Sequence, residues 1–78
     1  MDEMQKLLAA LEEVRDDVNF AQEKHLVEDG VIDSLDLTRI IAALDEAFDI
    51  HIPAGEIEPE NFDSINAILA MVHRYQQA

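Results

Sequence analysis

Cysteine and tryptophan are absent from this chain of 78 residues, and glycine and proline occur twice each. Without cysteine there is no disulfide framework and no thiol in the polypeptide, and redox compartment cannot be read from cysteine usage. Basic residues are scarce: five Lys and Arg stand against 18 Asp and Glu, a formal net charge of −13. That balance argues against nucleic-acid binding, which rests on Lys and Arg meeting phosphate, and against anionic membrane surfaces. It favours partners with basic patches, which an opposite field draws in. No apolar run approaches membrane-spanning length, and "MDEMQKLLAA" lacks the basic start of a signal peptide. A cytoplasmic monomer without membrane insertion is expected. The length predicts one domain, residues 1–78, with a thin core and little room for a deep catalytic cleft.

What is present tells against disorder. Hydrophobic residues make up 49% of the chain, and their spacing is ordered. Met4, Leu7, Leu8, Leu11, Val14 and Val18 recur at steps of three and four, which predicts a helix from Asp2 to about Asp16. Residues 19–33 have no sustained period and contain Gly30, Phe20, Leu26, Val31 and Ile32. A loop this long in a small domain is often functional, and its apolar residues are expected to pin it to the helices. Leu37, Ile40, Ile41, Leu44 and Phe48 predict a second helix from Ser34 to about Phe48. Asp33 or Ser34 is its N-cap candidate, and Pro53 in "DIHIP" marks its end. "AGEIEPENF" has room for one short helical turn. Asp63 or Ser64 then caps a last helix whose face is Ile65, Ile68, Leu69, Val72 and Tyr75. The fold class expected is all-α, a small bundle of three to four helices with a long loop between the first two main ones.

The candidate sites differ in specificity. The segment from His25 to Asp36 has the length of an EF-hand calcium loop, with Gly30 sixth and Ile32 eighth. His25 and Val27, however, stand where oxygen ligands are needed. His25, His51 and His73 share no metal-type spacing, so no metal site is assigned. Carboxylate pairs can be drawn almost anywhere in so acidic a chain, which deprives them of meaning. Ser34 lacks the glycine-flanked elbow of a hydrolase nucleophile. Local physics favours Ser34 as a helix cap. A helix N-terminus after an open loop also suits a phosphorylated or phosphopantetheinylated serine, since free N–H groups there favour phosphate.

"DGVIDSLDL", residues 29–37, resembles the attachment motif of acyl and peptidyl carrier proteins, in which Asp-Ser-Leu opens the second helix. The resemblance covers nearly the whole chain, from the first amphipathic helix through "ALDEAFDIHIP" to the last helix. It implies a freestanding carrier rather than an enzyme. Ser34 would hold 4'-phosphopantetheine transferred from coenzyme A, and a thioester on that arm would explain a carrier without cysteine. Asp33 and Leu35 would be read by the phosphopantetheinyl transferase. Asp36, Asp45 and Glu46 would be acidic contacts for an adenylate-forming acyl or amino-acid ligase and a downstream acyltransferase or synthase. Two departures from the fatty acyl branch stand out: Arg39 replaces a common glutamate, and Ala42 and Ala43 slim the second helix. "GEIEPENFDSINAI" is closer to carriers of amino acids, including D-alanyl carriers, and a small aminoacyl cargo is expected over a long lipid. The rival reading is an acidic helical adaptor in which Ser34 is an N-cap and nothing more.

Overall fold

A computed structural model describes residues 2–76. Among the described residues the regular structure is helical: α1 (Glu3–Val14), α2 (Ser34–Phe48), a 3-10 turn (Ala54–Glu56), α3 (Pro59–Phe62) and α4 (Ile65–Gln76). The all-α reading is correct. α1 packs along α2, α3 folds back on α4, and α4 touches both long helices.

Most boundaries have a local cause. Asp2 caps α1 by accepting the Gln5 N–H at 2.8 Å. The helix stops at Val14, short of the expected Asp16, because Arg15 turns to extended backbone. Val18 therefore lies outside α1, yet it still packs against the core. α2 spans the predicted range. Its end comes before Pro53, at Asp49, which takes the left-handed conformation (φ 53°) that Asp tolerates better than most residues. The Asp45 carboxylate then fastens the outgoing chain by accepting the Ile52 N–H at 2.9 Å. "AGEIEPENF" forms two short turns rather than one, the second opened by Pro59 at a helix start where a missing N–H does no harm. Ser64 caps α4 through the Ala67 N–H.

Leu7, Leu11, Ile40, Leu44, Phe62, Ile68, Met71 and Val72 are fully enclosed. The apolar residues of the long loop do pin it down: Phe20, Leu26 and Ile32 are as buried as the helical core. The loop is also stitched to the α3–α4 junction. Asp63 accepts the Leu26 N–H on its carbonyl at 2.9 Å, and the Val27 and Glu28 N–H groups on its carboxylate. On α4, Met71 takes the buried place expected of Leu69, which is half-buried. Ile41, expected in the core, is also half-buried and faces a groove described below.

Candidate functional site at the start of α2

The turn into α2 answers which of two residues is the cap. Asp33 holds extended backbone, and its Oδ1 accepts the Asp36 N–H at 2.9 Å. Asp36 reciprocates: its Oδ2 accepts the Asp33 N–H at 3.2 Å, which closes a capping box. Ser34 is the first residue inside the helix. The expectation that Ser34 is the N-cap is thus overturned, because the carboxylate before it reaches the third-residue amide first.

Ser34 is left exposed. Its carbonyl accepts the Thr38 hydroxyl at 3.1 Å, and among the described residues no group bonds its own hydroxyl. The backbone N–H groups of Ser34 and Leu35 also have no acceptor among the described residues, since the box engages those of Asp33 and Asp36. An oxygen free to react thus stands beside two free donors and the positive end of a 15-residue helix. These residues fit a serine-linked phosphodiester. Next to it, Leu35 is 59% exposed, the large hydrophobic left open to solvent among the described residues.

The predicted acidic contacts part company. Glu46 is exposed on α2. Asp45 is half-buried and occupied with the Ile52 N–H, with His51 Nδ1 3.9 Å from its other oxygen. Asp36, expected on the solvated face, has a side chain only 8% exposed and meets Arg15 Nη1 at 2.7 Å. It is an internal ion-pair member and is withdrawn as a docking contact. The reason is geometric: Asp36 stands four residues before Ile40, at the edge of the apolar stripe, and the end of α1 covers that edge. The same pairing fills the twelfth position of the calcium-loop reading with a guanidinium.

Sequence reasoning missed Arg15 altogether. Its guanidinium also holds Asp17 through Nε and Nη2, both at 2.9 Å, and reaches the Val31 carbonyl at 3.4 Å. Hydrogen bonding to Asp17 and then Asp36 raises the Arg15 pKa beyond its already high value, and Arg15 in turn lowers that of Asp17. The available signal was its place as a single cation between Lys6 and Lys24. The three histidines stay apart, but folding brings Asp63 to His25 and Glu28, with potential ligand atoms within 4.8 Å of one another. His25 Nδ1 lies 3.1 Å from Glu28 there.

Along the same face of α2 as Ser34, Thr38, Ile41, Ala42 and Asp45 border an open groove of about 310 Å³ closed on its far side by His51, Ile52 and Ile57. The groove begins one turn beyond Ser34.

Comparison with known proteins agrees with this geometry. The sequence profile of the family described as "Phosphopantetheine attachment site" matches residues 2–72. The chain is similar to the D-alanyl carrier protein of Lactobacillus acidophilus, 30% identical over 73 residues that cover 92% of each protein. It is also similar to those of Lactococcus lactis subsp. cremoris, 32% identical over 83% of this chain and 77% of the relative, and of Streptococcus uberis, 32% identical over 81% and 80%. No solved structure gives a significant match. An exposed serine at a carboxylate-capped helix start, in a chain matched almost end to end, accords with the profile: the protein belongs to the phosphopantetheine attachment-site family and is a carrier, not an enzyme.

Proposed function

We propose that Ser34 is the attachment point of 4'-phosphopantetheine and that the protein shuttles a small aminoacyl group between a ligase and an acceptor enzyme. The observation that carries this reading is the unengaged Ser34 hydroxyl, released from capping by Asp33. In the modification, Ser34 Oγ gives up its proton to a base of the transferase and forms a new ester bond to the phosphorus of the pantetheine half of coenzyme A. The bond to the other phosphate breaks, and the adenosine half leaves with that electron pair. The group supplies, once bound, a thiol on a flexible arm that holds cargo as a thioester. The chain's own residues orient the helix start, offer two N–H groups to the phosphodiester and leave the hydroxyl in water.

Asp33 and Leu35 flank the serine and present a carboxylate and an apolar side chain to the transferase. Glu46, with the exposed part of Asp45, offers negative charge to basic partners. Such contacts speed association without prolonging it, which suits a protein that must leave each enzyme. The D-alanyl carrier relatives support aminoacyl over lipid cargo.

Intact-mass spectrometry after incubation with coenzyme A and a broad-specificity transferase tests the attachment. A gain of the phosphopantetheine mass that Ser34→Ala abolishes is expected. No gain on the folded chain would return the protein to the class of acidic adaptors. Loading of the modified chain by D-alanine ligase against a fatty acyl ligase tests the cargo, with preferential loading by the former expected.

A further inference from the structure

The capping box that presents Ser34 is not self-sufficient. One of its two carboxylates, Asp36, is buried, and a buried carboxylate needs a partner charge. That charge arrives from the far end of the long loop. Arg15 leaves α1 as its C-cap, bonds Asp36 at 2.7 Å and reaches the Val31 carbonyl two residues before Asp33. The single oxygen Asp36 Oδ2 therefore accepts from both Arg15 Nη1 and the Asp33 N–H. Arg15 closes the loop at its neck, because one guanidinium touches both the segment leaving α1 and the segment entering α2.

We infer that Arg15 is a positioning residue for the modification of Ser34: through Asp36 it locks the Asp33–Asp36 turn in the geometry presented to the transferase. This rests on the reading of Ser34 as the attachment point. The planar fork of Arg suits the task, since Nη1 serves Asp36 and Val31 while Nε and Nη2 grip Asp17. The Arg15 side chain is 31% exposed, but Asp36, Val31 and Asp17 engage its Nη1, Nη2 and Nε, so its influence is placed in the turn rather than in a contact with the enzyme. Without it the carboxylate of Asp36 turns toward water, the Asp33 N–H loses its acceptor, and the turn bearing Ser34 samples other conformations. A transferase then meets a substrate that is competent for only part of the time, and its apparent affinity falls by that fraction.

The test compares the unaltered chain, Arg15→Met, and the double variant Arg15→Met, Asp36→Met, each at a temperature where circular dichroism shows it fully folded. Replacing both members of a part-buried ion pair by apolar side chains costs less than removing one and stranding the other charge, so the double variant separates stability from positioning. In Arg15→Met the KM for modification rises about tenfold, the size of effect that loss of one charge-assisted hydrogen bond gives, with kcat little changed. Exchange of the Asp36 amide speeds up by a similar factor while that of Ile68 in α4 does not. The double variant regains melting temperature but keeps the raised KM. An unchanged KM in Arg15→Met, or a KM in the double variant that recovers with stability, overturns the proposal. Failure of the unaltered chain to be modified would instead strike at Ser34 as the attachment point. The exchange rates then still decide whether Arg15 holds the turn: an unchanged Asp36 rate in Arg15→Met would refute the clasp by itself.

Discussion

Two adjacent substitutions separate structure from chemistry at the start of α2. Asp33→Ala deletes the oxygen that accepts the Asp36 N–H at 2.9 Å and so opens one half of the capping box. Loss of an N-cap side chain costs about 1 kcal/mol, within a range of roughly 0.5–2 kcal/mol. In a domain of 78 residues each kcal/mol moves the melting temperature by about 4–8 °C. Asp33→Ala is thus expected to melt about 6 °C lower. Ser34→Ala deletes a hydroxyl with no bond to lose, at the first position of a helix where alanine is the best former, and its stability should stay within about 0.5 kcal/mol. The chemical effects run the other way: Ser34→Ala abolishes modification, whereas Asp33→Ala retains the acceptor oxygen and is modified slowly. Thermal melts by circular dichroism, urea titrations and intact-mass spectrometry read the two quantities on the same samples. If Ser34→Ala is destabilised as much as Asp33→Ala, the serine is a cap after all and the division of roles is wrong.

Self-repulsion among charges summing to −13 is weakened by added salt, so the melting temperature should climb as sodium chloride rises from low to physiological levels; a flat response would contradict this. Acidity acts in two stages. Glu60 pushes the Glu58 carboxyl up by hydrogen bonding and repulsion, so the stability tied to Glu58 is complete below its unfolded pKa and lost as pH rises through its folded one. Arg74, and then Tyr75, hold Glu56 down, and Arg15 holds Asp17 down; these contributions are present above the unfolded carboxylate range and lost as pH falls through the folded values. Melting temperature should therefore pass through a maximum as pH falls, rising as Glu58 takes up its proton and declining as Glu56 and Asp17 take up theirs, with Glu58→Gln flattening the rise. Leu35→Ala should leave stability within about 0.5 kcal/mol and raise the KM for modification, because a side chain 59% exposed packs little of the core; a large loss of stability would show it to be core after all. Asp63→Ala removes the acceptor of two loop N–H groups and should cost about 2 kcal/mol, read as a shift in urea midpoint; an unchanged midpoint would mean the loop is held by its apolar anchors alone.

Much of this architecture could be read before any coordinates. The span of α2 was legible because its apolar stripe falls in local sequence, although its end, read from Pro53, comes at Asp49. The end of α1 was not, because Arg15 leaves the helix for a carboxylate that is far along the chain but near in space. Asp36 was misplaced for the same reason: spacing puts it at the margin of the buried stripe, and only packing decides a margin. Asp63 looked like one of two caps for α4, whereas its carboxylate turns away to the loop and Ser64 does the capping. The motif around Ser34 was plain from its neighbours. Which of Asp33 and Ser34 accepts the amide of Asp36 depends on side-chain reach and was settled by geometry.

Three amides of the long loop end on one aspartate, Asp63, which sits where α3 meets α4. The wall of the groove beside α2 includes Ile57, just ahead of α3. Tilting α3 to widen that groove would tug on the middle of the loop whose last residues lead to Ser34. The groove and the loop that leads to Ser34 are in this way joined through one carboxylate, and removing it with Asp63→Ala should let nuclear magnetic relaxation of the groove and of the loop fall out of step.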